Sequence, residues 1–343
     1  MIQQSSPIKT THPIDEDSRQ NKAIIQWGAK TLLSLGYTLK STLPEIVQNT
    51  PWSYVSRFLT SDGAIYLKHT PDELALEAPI IGILHDQFNA PVAEVIAHNA
   101  ELNCFLMKDA GIPLRGILKE KFDETLLFKA IDQFTSLQLA VAERVDVLID
   151  IGVPDWRLGC LPDLYLQFVS QKDVLMADGL SELEIDQLQG LHATISDLCK
   201  QLSSYSIKET LVQPDFNDNN ALIDDSLHNI TIIDLGEIAI SHPFFSLLNF
   251  LHVIKKYHAL TETSDVYLRL QDYCFKKFMP FVPKKDLLEA VSIARTLSFV
   301  YGALASNRLM QACDRTQFTG SFQQQGRISP SLKELMAACV RVT

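Results

Sequence analysis

The strongest constraint on the fold is a change in hydrophobic period from Thr125 onward, with the joint between the two regions expected near Met107–Gly111. Before it, short runs such as Ser53–Thr60 and Ala64–Lys68 alternate as β-strands do, and the turn sequence Ser61-Asp62-Gly63 separates these two runs. After it, apolar residues recur at helical spacing. The helical stretches are Leu126–Val145, Glu182–Leu202, Asp265–Phe278, Lys285–Ala305 and Ser331–Val342. The pattern predicts an α+β, two-lobed architecture, with a small β-rich lobe over residues 1–107 and a larger, mostly helical lobe over residues 108–343.

The first lobe is also predicted to contain two helices around an antiparallel sheet. A leading helix over Ile24–Leu35 carries apolar residues at helical spacing and stops at Gly36. A further helix over Pro71–His85 contains Pro79, which must either begin the helix or kink it. The remaining strand-like runs are Tyr37–Val47, Ala90–Ala97 and Cys104–Lys108.

Length and composition exclude several functions. The chain has 343 residues, 46% of them hydrophobic, which is enough for one large domain or two lobes. Its net charge of −11 argues against a nucleic acid partner, because binding to phosphates needs a basic face. No run is apolar and long enough to predict a membrane span, and the N-terminal segment lacks the apolar core of a signal peptide. The six cysteines are scattered, which favours reduced thiols in the cytoplasm over disulfides or a zinc site.

One segment, residues 211–237, contains an ordered set of reactive side chains. Asp215 is followed by Asn220 and, after two apolar strand-like pieces, by Asp234. A hairpin of those pieces, with its turn at Asp224–Asn229, would bring Asn220 and Asp234 to one end, where their oxygens can share Mg²⁺. Asp215 would lie on the preceding loop and accept a hydroxyl proton. The arrangement predicts phosphoryl transfer to an alcohol, in which a base orients the nucleophile and a metal neutralises phosphate charge.

Taken singly, these residues are also ordinary turn formers. Taken in order, the segment resembles the catalytic loop H-x-D-x-x-x-x-N and the following D-x-G of aminoglycoside phosphotransferases and related small-molecule kinases. Gln213 stands where that family has His. Further on, Ser241-His242-Pro243-Phe244 resembles the family's G-H-P continuation. The resemblance covers roughly Trp52 to Phe250.

The resemblance implies a protein-kinase-like fold, ATP as phosphoryl donor and Mg²⁺ as cofactor. It implies that Asp215 is the catalytic base and that Asn220 and Asp234 are the Mg²⁺ ligands. In the resembling enzymes the His at the start of the loop braces it beneath the metal ligands. Gln213 can take over that brace, because an amide both donates and accepts hydrogen bonds.

A kinase also needs a cation for the phosphates of the nucleotide, held by a helix carboxylate. Lys68 ends a predicted strand and Glu77 follows in the next helical stretch, so the order fits such a pair. Glu73 is an alternative partner for Lys68. A surface lysine and an exposed helix glutamate would look the same in the sequence.

Two further segments are nucleotide-contact candidates. Pro51–Arg57 lies where kinases fold a loop over the phosphates; it has no glycine, but Ser53 and backbone N–H groups can meet phosphate. An ordinary hairpin is an equal alternative for it. Cys104–Gly111 resembles the family's hinge, which implies adenine contacts around Met107 and Asp109.

Three classes of function follow. The first is an ATP-dependent phosphotransferase acting on a hydroxyl of a small molecule. The second is a pseudokinase-like module that binds nucleotide or a partner without turnover, which Gln213 and the glycine-free loop motivate. The third, a metal hydrolase using the same aspartates, is weaker because no His–carboxylate cluster accompanies them.

The acceptor, the choice between ATP and GTP and the oligomeric state stay open at this level. An aminoglycoside would favour an acidic pocket, which Glu237 and the acidic region 209–225 can supply. Choline would favour an aromatic cage. The candidates for such a cage are Trp156, Tyr165 and Tyr301.

Overall fold

The strand-rich part of the chain forms a five-stranded antiparallel sheet with one helix beside it. In this computed structural model the described residues are 19–224, 226, 229–313 and 325–340. The elements of the strand-rich part are α1 (Arg19–Ser34), β1 (Glu45–Thr50), β2 (Ser53–Thr60), β3 (Gly63–His69), β4 (Val95–Asn99) and β5 (Cys104–Lys108), with a 3-10 helix at Asp72–Leu74. The order of the strands in the sheet is β1-β2-β3-β5-β4. The predicted turn joins β2 to β3, and Thr60 Oγ1 donates a hydrogen bond to the carbonyl of Gly63 (2.8 Å).

The core of this unit lies between α1 and the sheet. Ile24 and Leu32 of α1 and Phe58 and Leu67 of the sheet are fully buried in one cluster. The contact is close at Gly28, where a Cβ atom would lie 3.1 Å from the ring of Phe58. The predicted leading helix is therefore confirmed, and its apolar stripe is what covers the sheet.

Two predicted strands are shorter than the sequence pattern indicated. Only the end of Tyr37–Val47 joins β1, although Leu39 makes an isolated bridge to Thr60. Ala90–Ala97 becomes a strand only from Val95 onward. Proline has no amide hydrogen to give to a ladder, and Pro91 stands at the start of that run.

The rest of the chain is mostly helical. Its helices are α2 (Glu77–Phe88), α3 (Leu114–Glu120), α4 (Glu124–Val141), α5 (Asp146–Ile149), α6 (Leu161–Val169), α7 (Lys172–Ala177), α8 (Glu182–Gly190), α9 (His192–Ser203), α10 (Phe244–Tyr257), α11 (Asp265–Lys276), α12 (Lys284–Ala312) and α13 (Ser329–Val340). Its strands are β6 (Ile112–Pro113), β7 (Thr210–Val212), β8 (Ala221–Ile223), β9 (Ile230–Ile232) and β10 (Ala239–Ser241). They form two small sheets, β6-β8-β9 and β10-β7. The predicted helix Glu182–Leu202 is broken into α8 and α9, and the last two residues of the predicted Ser331–Val342 helix lie outside the described residues.

Contacts along the chain divide it into residues 1–75 with 95–109 and residues 76–94 with 110–343. The prediction placed the helix after the third strand in the first lobe and the boundary between residues 107 and 108. The structure instead groups α2 with the helical unit, because α2 packs against α4 and α5 and the following Val92 forms a parallel bridge with Ile232. Sequence order alone carries no signal for such packing.

Pro79 does not interrupt a helix. The predicted helix Pro71–His85 is a 3-10 turn followed by α2, which begins at Glu77. Pro79 therefore lies in the first turn of α2, where a missing amide hydrogen breaks no intrahelical bond.

The long helix α12 runs through the helical unit and packs against α9, α10 and α13. Among the described residues it is the one helix long and apolar enough to cross a membrane, with a mean hydropathy of 1.4 in its most apolar window, which corrects the sequence-based prediction that no run meets this criterion. Of that window, 61% is buried within the protein. Length and composition alone are weak grounds for a membrane span, because a buried core helix has the same properties.

Candidate active site

The hairpin of β8 and β9 positions the residues predicted to bind metal. Ala221 pairs with Ile232, and the amide of Ile233 donates to the carbonyl oxygen of Asn220 (3.0 Å). Asn220 and Asp234 therefore stand at the same end of the hairpin, as the sequence predicted. Within the predicted turn Asp224–Asn229, residues 225, 227 and 228 lie outside the described residues.

Asp215 lies on the loop between β7 and β8, and two amides hold its carboxylate. Asn217 Nδ2 donates to Asp215 Oδ1 (2.7 Å), and Asn220 Nδ2 donates to Asp215 Oδ2 (2.9 Å). Both amides also donate to the backbone carbonyl of Asp215 (2.8 Å each). The carboxylate is thus fixed in orientation. Asn217 was not predicted, although an amide two residues after an aspartate is a familiar local hydrogen-bonding pattern.

The surroundings of Asp215 raise its pKa to about 6. The side chain is open to solvent by surface area, but it lies in a recess where nearby protein atoms reduce its hydration. Loss of hydration is the main cause, and the negative charge of Asp234 adds to it; the hydrogen bond from Asn220 and the charge of Arg115 act in the opposite direction. A carboxylate with such a pKa is ionised at neutral pH and basic enough to take a proton from a reacting hydroxyl.

Asp234 has a left-handed backbone, with φ of +64°. Aspartate tolerates this region better than most residues other than glycine. The next amide, that of Leu235, donates to Glu77 Oε1 (3.1 Å). Glu77 is 2% exposed, so this part of the chain after β9 is attached to the start of α2 by a buried carboxylate.

Gln213 braces the same segment from below. It is fully buried, and its Nε2 donates to the carbonyls of Ile233 (2.9 Å) and Asp234 (2.8 Å). Its backbone N–H donates to Ser246 Oγ (2.8 Å), which in turn donates to the Gln213 carbonyl (2.9 Å). The glutamine therefore ties the loop of Asp215 to the backbone of Asp234.

We expect Gln213→Met to lower the free energy of unfolding by about 2 kcal/mol, because two buried carbonyl oxygens lose their donor. Gln138→Met is a matched control: Gln138 is also fully buried, and its Nε2 also donates to two carbonyls, those of Leu211 and Pro243. Both variants should unfold at lower denaturant concentration than the parent. At a temperature where both variants are folded, only Gln213→Met should lower the rate of a reaction that uses Asp215, by about tenfold. Equal rates in the two variants would contradict the role of Gln213 in holding the Asp215 loop.

A buried charge network supports the loop from its other side. Asp218 is fully buried, and its Oδ1 accepts from Arg115 Nη2 (2.7 Å) while its Oδ2 lies 2.8 Å from His258 Nε2. Burial raises the pKa of Asp218, but the hydrogen bonds from His258 and Arg115 outweigh it and hold the pKa below its usual value. Arg115 Nη2 also donates to Asn217 Oδ1 (2.8 Å), so the network reaches a residue that orients Asp215. Arg115 was not predicted, because it stands about a hundred residues before its partners.

The residues after β10 that resembled the G-H-P continuation have a structural place. His242 is fully buried, and burial lowers its pKa to about 3. Its ring packs edge-on against that of Phe244, which begins α10. His242 is therefore neutral in the folded protein and anchors the start of α10.

The nucleotide candidates of the first unit have different environments. Lys68, in β3, is 5% exposed, and Ser53, at the start of β2, is 6% exposed with an Oγ that has no hydrogen-bond partner among the described residues. Met107 is half-buried in β5, between β3 and β4. The amide of Asp109 donates to the carbonyl of Ala64 (3.3 Å). Their contacts with nucleotide stay predictions.

The aromatic residues considered for a choline cage are core residues. Trp156 and Tyr301 pack edge to face with ring centres 5.5 Å apart, but they are only 8% and 3% exposed. Tyr165 is fully buried, and its hydroxyl donates to the carbonyl of Leu188 (2.7 Å). None of the three is placed to enclose a ligand from solvent.

The donor set at the hairpin suits Mg²⁺. Because Asn220 uses its amide nitrogen on Asp215, its carbonyl oxygen Oδ1 is the atom it can offer a cation, next to the carboxylate of Asp234. Mg²⁺ takes few protein oxygens and completes its shell with phosphate and water. Within the described part of the chain, no group of three or more His, Cys, Asp or Glu side chains is arranged to hold a metal. A dedicated all-protein metal centre is therefore not found there.

Fold and geometry together define the class: a two-lobed, protein-kinase-like fold of the kind used by small-molecule phosphotransferases. The sequence itself matches no family model and no curated protein.

Solved structures of similar fold carry this conclusion. The chain is similar to an ethanolamine kinase of Plasmodium vivax (TM-score 0.60, 11% identity, covering 88% of this chain and 83% of that one). It is also similar to a macrolide 2'-phosphotransferase type I (TM-score 0.56, 12% identity, 90% and 95%) and to the enzyme APH(2")-IIia in its GDP and kanamycin complex (TM-score 0.53, 16% identity, 92% and 99%). At these identities the likeness concerns the fold.

Proposed function

We propose that this chain transfers the γ-phosphoryl group of ATP to a hydroxyl group of a small molecule. The proposal rests on one observation: the Asp215 carboxylate, fixed by hydrogen bonds, lies beside a hairpin whose end carries two possible Mg²⁺ ligands. Asp215 is held by Asn217 and Asn220, and the same Asn220 stands beside Asp234. In phosphoryl transfer the protein must position the reacting hydroxyl and help to neutralise the charge of the phosphates, and these groups can do both.

In the proposed reaction the acceptor oxygen attacks the γ-phosphorus and forms a new O–P bond. The bond from the γ-phosphorus to the β–γ bridging oxygen breaks, and its electron pair stays on that oxygen, which leaves as part of ADP. Asp215 takes the proton of the acceptor hydroxyl. Asn220 and Asp234 are the residues that would hold Mg²⁺, which neutralises phosphate charge when it is bound. Lys68 is proposed as the cation for the other phosphates, Ser53 as a further phosphate contact, and Met107 and Asp109 as adenine contacts.

The proposal is also supported by proteins of similar fold, which are named as an ethanolamine kinase and a macrolide 2'-phosphotransferase. A third, APH(2")-IIia, was solved with GDP. GTP therefore belongs beside ATP in any test of the phosphoryl donor.

A pseudokinase-like binding module is the second candidate. It was motivated by Gln213 in place of a histidine and by the glycine-free turn between β1 and β2. The hydrogen bonds of Gln213 to the Ile233 and Asp234 carbonyls remove part of that motive, since the brace is present. The two candidates differ in turnover.

Nucleotide should stabilise the folded protein if the proposal is correct. At a free ATP–Mg²⁺ concentration a hundredfold above Kd, linkage adds about 2.7 kcal/mol to the free energy of unfolding. Thermal unfolding with ATP, GTP and AMP, each with and without Mg²⁺, measures this effect. We expect a rise in Tm of several degrees that requires both the triphosphate and Mg²⁺. No shift at millimolar ATP and GTP would overturn the phosphotransferase and any nucleotide-binding form of the second candidate.

A further inference from the structure

A recess beside Asp215 has the position expected of an acceptor site. Its volume is about 300 Å³, and its wall is formed by the loop of Asp215 and by the last turns of α10. Eight residues line it, among them Arg115, Asp215, Asn217, His252, Lys256 and Tyr257. A volume at the lower end of the range of ligand pockets suits a small metabolite better than a multi-ring antibiotic. A second recess of about 280 Å³, at Ser170–Val174, contains none of the site residues.

The lining differs from the acidic pocket that an aminoglycoside would favour. Asp215 is the one acidic residue among the eight, and it is committed to the reacting hydroxyl. Asp218 lies behind the wall with its side chain fully buried, and both of its oxygens are occupied by Arg115 and His258. Glu237, considered for an acidic pocket, does not line this recess.

Lys256 adds to the recess a positive charge that takes part in no salt bridge with a described residue. Its side chain is exposed. The neighbouring Lys255 differs, because its Nζ lies 2.5 Å from Glu262 Oε1. The two lysines thus share a helix and a charge, but only Lys256 lines the recess and lacks a carboxylate partner there.

Arg115 adds a fixed donor edge to the same wall. Its Nε and Nη2 are used on Asp218 and Asn217, and its guanidinium stacks 3.9 Å from the ring centre of Tyr257. Its Nη1 makes no hydrogen bond to a described residue, and the side chain remains 16% exposed. A guanidinium held in this way presents planar N–H donors that match carboxylate and phosphate oxygens.

We propose that the acceptor is a small alcohol bearing an anionic group, a carboxylate or a phosphate, which Lys256 and Arg115 hold while the hydroxyl faces Asp215. This inference rests on the proposed phosphotransferase function and specifies its substrate class. The positive charge of Lys256 would repel a polycationic or amino-alcohol acceptor. Asp215 is the one acidic lining residue that could attract such a cation.

The test compares small alcohols of three charge types on the full chain. The anionic probes are glycerate, malate and glycerol 3-phosphate, which separate carboxylate from phosphate; glycerol is neutral, and ethanolamine and kanamycin are cationic. Calorimetry measures their binding without nucleotide, and ATP consumption with Mg²⁺ measures turnover. We expect at least one anionic probe to bind and to react with a kcat/KM at least tenfold above that of glycerol, and the cationic probes to be poorest.

Lys256→Met and Lys255→Met form a matched pair of variants. Removing Lys256 should raise KM for the preferred anion about tenfold and abolish the preference over glycerol, with little change in kcat, whereas Lys255→Met should retain the preference. The inference is overturned if no anionic probe binds at millimolar concentration, if a cationic probe is preferred, or if the two variants behave alike. Anion binding that depends on Lys256 without stabilisation by either ATP or GTP would support the pocket's ligand class and reject phosphoryl transfer, so the two proposals fail separately.

Discussion

Asp215→Asn should lower kcat by about a thousandfold and leave the affinity for nucleotide within about threefold of the parent. Removing a positioned general base typically costs a factor of 10² to 10⁴. The amide cannot take the hydroxyl proton. Its NH₂ group would also face either Asn217 Nδ2 or Asn220 Nδ2, both of which now donate to the carboxylate. One donor would therefore lose its acceptor, and the carboxamide would be less well oriented than the carboxylate.

Asp224→Asn is the control for this experiment. Asp224 lies in the turn between β8 and β9 and accepts hydrogen bonds from Ser226 Oγ (2.8 Å) and Asn229 Nδ2 (2.6 Å), both of which are exposed contacts. Asp224→Asn removes the same charge as Asp215→Asn but from a turn outside the Asp215 loop, so its rate should stay close to that of the parent. Single-turnover rates and nucleotide-dependent Tm shifts should be measured for both variants. If Asp215→Asn keeps a rate within threefold of the parent while folded, Asp215 is not the base.

Much of the sheet could be predicted because its signals are local. Alternation over Ser53–Thr60 and the Ser61-Asp62-Gly63 turn specify a hairpin without reference to the rest of the chain. The predicted ends of strands and helices were wrong where the local sequence pattern carries no signal for them. Proline at position 91 delays a strand to Val95, and the two helices α8 and α9 share one continuous apolar pattern that breaks only at Gly190 and Leu191.

The site was predicted to the extent that one segment contains it. Asp215, Asn220 and Asp234 fall within twenty residues of each other, and a hairpin is enough to bring the last two together. The wall of the recess comes from elsewhere: Arg115 precedes its Asp218 partner by about a hundred residues, and Lys256 is on α10. Long-range contacts of this kind depend on tertiary packing and leave no period or spacing in the sequence.

The same limit applies to the aromatic residues. Trp156 and Tyr301 are candidates for a choline cage by residue type, and the structure brings them together, but in the core. Buried aromatic pairs stabilise a fold through their area and edge-to-face geometry. Sequence gives the residue type, whereas the burial that decides its role depends on packing.

Asp234→Asn should weaken the binding of ATP in the presence of Mg²⁺ at least tenfold and leave binding in EDTA unchanged. The carboxylate is the one negatively charged donor in the proposed Mg²⁺ pair, and the affinity of such sites follows the charge of their ligands. Asparagine is the informative replacement, because it tolerates the left-handed backbone that Asp234 adopts at φ +64°, whereas alanine would add strain there. A loss of binding in Asp234→Asn can therefore be assigned to the side-chain charge.

The measurement is a nucleotide titration by calorimetry, with Mg²⁺ or with EDTA, on the parent, Asp234→Asn and Asp224→Asn. In the metal-free protein, Asp234→Asn removes the negative charge that helps to raise the pKa of Asp215, so the pKa of Asp215 should fall. The sign follows from the direction of the charge: without the carboxylate at position 234, Asp215 ionises more readily. If Mg²⁺ strengthens ATP binding equally in all three proteins, Asp234 is not a metal ligand, and the hairpin has a structural role alone.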